Sequence, residues 1–185
     1  MRKVVLYTLM ALDGAVDHPE IYFAAEPGDP PAFDEVMEQN EREVIQAQDA
    51  VLLGRHMFDE WSQYWPSAPH EPFAGFINTV KKYVVTSTPL VHEWPHSEAV
   101  TGPVEDVVRD LVSQEGGDIG VHGSIQLAQS LLAAGLVDEL RLVVAPALGF
   151  GGRRLFTGAD VVRRLELLSA RSTPSGSLLL TYRVS

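Results

Sequence analysis

The stretch Asp118 to Pro146 reads D-I-G-V-H-G-S-I-Q-L-A-Q-S-L-L-A-A-G-L-V-D-E-L-R-L-V-V-A-P. Ile119 to His122 is short and β-branched, Gly123 is a turn, and Ser124 is a helix cap. Ile125, Leu127, Ala128, Leu131 and Leu132 then recur at helical spacing until Gly135 stops the helix. A second apolar run, Leu140 to Ala145, ends at Pro146. Strand, glycine turn, helix and strand in that order make a right-handed crossover in a parallel sheet, so the chain is an α/β protein. At the junction the helix presents unsatisfied N–H groups and the positive end of its dipole just past a strand's carboxyl end, where anions bind. Gly123 has no Cβ and lets a phosphate approach the backbone, although the same glycine serves equally as a plain turn.

Working outward, 185 residues with 45% hydrophobic content supply one domain, residues 1–185, with a sizeable core. Twenty-five acidic against 14 basic residues give a net charge of -11, which repels nucleic acid and anionic membrane surfaces. There is no cysteine, hence no disulfide framework and no thiolate chemistry, which suits a cytoplasmic protein. The N-terminal apolar run is far shorter than a membrane span and meets Asp13, so it reads as the first strand.

In chain order, Lys3 to Met10 has the near-continuous apolarity of a central strand. Ala11 to Pro31 is a long loop rich in Asp, Gly and Pro that borders a site. From Phe33 an interrupted helical stripe runs through Val36, Met37, Val44 and Ile45. Ala50 to Leu53 and Lys82 to Thr86 are further strands. A short helix holding Met57, Phe58 and Trp61 follows the first of them, another runs over Phe73 to Val80, and Thr101 caps a helix over Glu105 to Gln114. Arg164 to Ala170 and Leu178 to Val184 form an antiparallel hairpin through Pro174-Ser175-Gly176. Three strand-to-turn junctions recur: Leu53-Gly54-Arg55-His56, Val85-Thr86-Ser87-Thr88 and Val121-His122-Gly123-Ser124. Ligands of open parallel sheets bind beyond the carboxyl ends of strands, and these ends carry the glycines, hydroxyls and guanidinium that hold phosphates. Read separately, the same residues are a surface arginine, two turn formers and a cap.

G-R-H-M-F at Gly54–Phe58, T-S-T-P at Thr86–Pro89, V-H-G-S at Val121–Ser124 and G-L-V-D-E-L at Gly135–Leu140 together resemble the dihydrofolate reductase superfamily. A-L-D-G at Ala11–Gly14 and A-P-A-L-G at Ala145–Gly149 resemble its RibD C-terminal-domain branch, the reductase domain of bacterial riboflavin biosynthesis, and the likeness runs from about Val4 to Phe156. The resemblance implies a three-layer fold, with helices on both faces of a mixed, mostly parallel sheet of about eight strands whose last strand is antiparallel. It also implies NADPH as hydride donor.

Carried over by motif, Gly54, Arg55 and His56 meet the adenosine phosphates, and Thr86, Ser87 and Thr88 surround the 2′-phosphate. Val121, His122, Gly123, Ser124 and Ile125 hold the pyrophosphate. Ala11 and Leu12 lie beside the nicotinamide, with Asp13 and Gly14 between cofactor and substrate. Asp13 and Glu38 are the catalytic candidates. Glu38 and Asp34 lie where folate-reducing members carry an acid on the first helix, but outside any matching motif. His122 stands where the superfamily commonly has Gly, and Met57 where it often has Thr. Without cysteine the zinc site of the companion deaminase cannot be built, and no metal site is expected. The substrate implied is a small heterocycle, either the riboflavin-pathway pyrimidine or a pterin. A noncatalytic nucleotide-binding protein that kept the fold is the alternative, and the likeness further implies a homodimer through the sheet edge and C-terminal region.

Overall fold

The structure is a computed structural model that describes residues 2–26, 28–29, 31–157 and 162–184, so Pro30 of the long loop lies outside the described residues. Eight strands form one sheet: β1 (Val4–Ala11), β2 (Gln48–Gly54), β3 (Lys81–Val85), β4 (Ser97–Val100), β5 (Asp118–His122), β6 (Glu139–Ala145), β7 (Glu166–Ser172) and β8 (Leu178–Arg183). Their order is β4-β3-β2-β5-β1-β6-β8-β7, parallel from β4 to β6 and antiparallel at β8 and β7. The mixed sheet and the C-terminal hairpin follow the sequence reading. Strand β4 does not: S-E-A-V carries little apolar signal, and as an edge strand it is partly exposed and held by pairing with β3.

The helices are α1 (Pro19–Tyr22), α2 (Glu35–Gln46), α3 (Arg55–Tyr64), α4 (Phe73–Thr79), α5 (Val104–Ser113) and α6 (Ile125–Ala133). Alternate residues of the central strands feed two layers, as the period of a strand requires. Val4, Leu6, Ile119 and Val121 pack with Val108, Leu111, Leu127 and Leu131 of α5 and α6. On the other face Tyr7, Ala11 and Val143 meet Met37 and Val44 of α2, while Val51, Leu53 and Val84 meet Phe58, Phe73 and Ile77 of α3 and α4. Lys82 is fully buried in that layer, its Nζ donating to Ile77 O and Val80 O at 2.8 and 2.9 Å and lying 4.6 Å from the Trp94 ring centroid. Burial lowers its pKa to about 8.

Registration puts a step in the upper edge of the sheet. Strand β5 stops at His122, opposite Tyr7, whereas β1 continues with β6 to Ala11 opposite Ala145. Four further residues of strand rise about 13 Å. Along that rise Thr8 to Ala11 have no strand neighbour on the β5 side. No helix of the described residues is long and apolar enough to cross a membrane.

Candidate functional site

The three junctions read from the sequence come together, because β3, β2 and β5 are consecutive in the sheet. Helix α3 begins directly after Gly54 and α6 directly after Ser124, and neither helix has a side-chain cap. Their first N–H groups, side by side beyond two neighbouring strands, are donors without intrahelical acceptors. Both helix dipoles add positive potential at the same place.

Ser124 was expected to cap α6. Instead its Oγ accepts the backbone N–H of Gly54 at 2.9 Å and ties the two junctions together. Gly123 is a genuine glycine position, with φ +70° and a hypothetical Cβ that would lie 2.9 Å from Trp61 Cζ2 and 3.0 Å from Met57 Cε. His122 contributes only backbone to the junction. Its ring points down into the α2–α4 layer, 5.3 Å from Phe73 and 5.7 Å from Tyr7 between centroids. There its Nε2 donates to Gln48 Oε1 at 2.8 Å. Burial drives its pKa down to about 3, so the imidazole is neutral.

Arg55 reaches the third junction: its Nη1 donates to Thr88 Oγ1 at 2.7 Å and Pro89 O at 2.8 Å, and its Nε to both oxygens of Asp59 at 2.8 Å. Thr86 Oγ1 accepts from Thr88 N at 3.2 Å, and Ser87 and Thr88 are exposed. His56 points to solvent and pairs with Glu60 at 3.3 Å.

On the far side of the step, Leu12 N donates to Ala147 O at 2.8 Å. Asp13 accepts from Gly149 N and Phe150 N at 2.9 Å each and pairs with Arg154 at 3.0 Å. The Gly149 bond and the Arg154 charge hold its carboxyl below the usual range. Asp13 therefore staples the loop after β1 to the loop after β6.

The two acids expected at the start of α2 are both engaged in local bonds. Asp34 is the N-cap, accepting from Val36 N and Met37 N at 3.0 Å. Glu38 is half-buried and pairs with Arg42 at 3.3 Å. The buried acid of α2 is Glu41, 8% exposed, in line with Met37, Val44 and Ile45 on the inward face. Burial raises its carboxyl to about 7. The phase of the stripe was the available signal, since position 41 lies four residues from Met37 and from Ile45. Among the described residues no group of three or more His, Cys, Asp or Glu side chains could hold a metal ion.

The model of the RibD C-terminal domain matches residues 2–179. The chain belongs to the RibD C-terminal domain family. A structure from Shewanella sp. PV-4, assigned to riboflavin biosynthesis, is 16% identical with a TM-score of 0.74, covering 99% of each chain. A pyrimidine reductase-like protein of Corynebacterium diphtheriae is 16% identical with a TM-score of 0.68, over 100% of this chain and 92% of the other. The Thermotoga maritima diaminohydroxyphosphoribosylaminopyrimidine deaminase/5-amino-6-(5-phosphoribosylamino)uracil reductase is also 16% identical with a TM-score of 0.68. This RibD-like chain spans 57% of its length. The uncharacterized protein YyaP of Bacillus subtilis (strain 168) is 28% identical over 138 residues, 72% of this chain and 73% of that one.

Proposed function

We propose that this chain is a reductase that uses NADPH to place a hydride on a C=N or C=O carbon of a small heterocycle, either a pyrimidine of the 5-amino-6-(5-phosphoribosylamino)uracil type or a pterin. The observation that carries the reading is the pair of uncapped N-termini, α3 and α6, held together by the Gly54–Ser124 hydrogen bond beside the unpaired edge of β1. Backbone amides aimed at one groove fit a pyrophosphate. In this reading Gly54, Arg55 and His56 with Thr86, Ser87 and Thr88 take the adenosine phosphates, and Val121 to Ile125 take the pyrophosphate. The backbone of Ala11 and Leu12 borders the nicotinamide. NADPH supplies the hydride when bound.

The chain supplies position and a proton. Asp13 fixes the wall of the step through Gly149, Phe150 and Arg154 rather than touching the reacting atoms. Glu38 remains the acid candidate carried over from the sequence, and Glu41, three residues on, is a second, because a carboxyl titrating near neutrality holds a proton to give. Asp34 and Asp13 are committed to backbone N–H groups. The protein is further read as a cytoplasmic homodimer of single-domain chains.

A second reading, a nucleotide-binding protein without turnover, is favoured by one observation: the polar side chains Arg55, Ser124 and Asp13 all bond to other parts of the chain. Calorimetry with NADPH, followed by its oxidation against a panel of pyrimidines, pterins and cyclic imines, separates the two. Binding with substrate-dependent oxidation is expected. Binding without oxidation across the panel favours the second reading, and no binding overturns both.

A further inference from the structure

Met57 occupies the first turn of α3, three residues past Gly54, and its Cε and Sδ lie 3.0 and 3.4 Å from the position a Cβ on Gly123 would take. Trp61 Cζ2 lies 2.9 Å from that same point. The two side chains thus reach from α3 across to the turn that ends β5 and cover the backbone strip between the two helix N-termini. They are held there unequally. Trp61 stands edge-on to Trp65 and Phe73, with centroids 5.6 and 5.7 Å away and interplanar angles of 79° and 84°. Met57 is half-buried at the margin of that aromatic cluster. It is unbranched, with rotatable bonds to swing on, and its thioether end lies beside the Trp61 ring with no hydrogen bond of its own among the described residues to hold it.

We propose that Met57 is a displaceable plug in the phosphate groove. A dinucleotide reaches the α6 amides only after the thioether rotates away, so Met57 lowers dinucleotide affinity while giving the ligand no bond. The side chain has no hydrogen-bond donor, and its sulfur is at best a weak acceptor, so a phosphate gains nothing from it in place. Trp61, pinned on two sides, stays as the fixed wall. This rests on the dinucleotide reading above, and the experiment separates the two.

The full chain is labelled at its methionine methyl carbons; it has four methionines, and Met57→Leu assigns the signal of interest. The Met57 methyl, near the Trp61 ring, resonates in a ring-current-shifted position. Titration with NADP⁺, with saturation followed by calorimetry, should move it towards the position of a solvated methyl while the Met37 signal, from the inward face of α2, stays in place. Met57→Ala and Met57→Thr should tighten NADP⁺ and NADPH alike by about two- to tenfold, the effect of removing one thioether–aromatic contact. Saturation with an unmoved Met57 signal, or unchanged Kd in both variants, overturns the plug and leaves the dinucleotide reading standing. Absence of binding by the parent and by both variants overturns the two together.

Discussion

The backbone N–H of Gly54 donates to the hydroxyl of Ser124 at 2.9 Å, across 70 residues of sequence. Ser124→Ala leaves that N–H without an acceptor in a part-buried place, which costs about 1–3 kcal/mol. Urea denaturation without ligand should show this loss, and calorimetry should show weaker NADPH binding because the two helix N-termini are no longer held together. A variant of parent stability would mean that the bond does not organise the groove.

Glu41 and His122 give opposite pH dependences. The Glu41 carboxyl is raised by burial from 4.5 to about 7, so the stability it confers is complete below pH 4.5 and is lost as pH rises through 7. The His122 imidazole is lowered by burial from 6.5 to about 3, so its contribution is complete above pH 6.5 and is lost as pH falls towards 3. Between 4.5 and 6.5 the two slopes, each at most about 1.4 kcal/mol per pH unit, oppose one another. Denaturation of the parent should therefore be nearly flat there, and Glu41→Gln should become steadily more stable with rising pH. Parallel curves for parent and variant would show that Glu41 does not titrate above its ordinary range in the folded chain.

Asp13→Asn keeps one acceptor but loses the second N–H bond and the Arg154 ion pair. If Asp13 works only as a staple, Arg154→Met should lower kcat/KM to a similar degree and the double variant should fall little further. Fully additive losses in steady-state kinetics would instead give Asp13 a role at the substrate.

Arg55 predicts cofactor preference. NADPH should bind more tightly than NADH, and Arg55→Ala should remove roughly 1.5–3 kcal/mol of that difference. Asp59→Asn should enlarge the preference, because it withdraws a carboxylate that lies 2.8 Å from Arg55 Nε. Equal affinities for the two nucleotides in the parent would rule this out.

The C-terminal hairpin predicts the homodimer. All seven residues of the edge strand β7 are exposed, and Leu167, Leu168 and Leu178 are 53%, 40% and 38% exposed. A two-fold contact over this face needs about 1,200–2,000 Å² in total. Light scattering behind a sizing column should give about twice 20.3 kDa. A mass near one chain at high micromolar loading would refute it.

The sequence revealed the elements that announce themselves locally. The β-branched runs of β1, β5 and β6 and the glycines that end β2 and β5 were readable because burial on both faces and tight turns leave compositional traces. Strand β4 left none, since an edge strand is specified by its neighbour. Ser124 looked like a cap because its partner Gly54 is distant in sequence, and pairing across strands has no local signature. Glu41 was passed over in favour of Glu38 because a charged residue reads as solvated, although the helical phase put position 41 inward. His122 was placed at the groove by its neighbours in the motif, but strand alternation sends its side chain beneath the sheet.

The staples of the groove all join remote segments: Gly54 to Ser124, Leu12 to Ala147, and Asp13 to Gly149 across 136 residues. A growing polypeptide can thus join Gly54 to Ser124 only once β5 and the turn after it have been made, and can close the far wall only once β6 and the loop through Gly149 have followed. Contacts of such long range also form late and slowly. Any dinucleotide that fits the groove must then be released when the whole sheet melts. It should raise the temperature of that single transition in step with its free concentration, which makes melting curves a direct way to rank nucleotides.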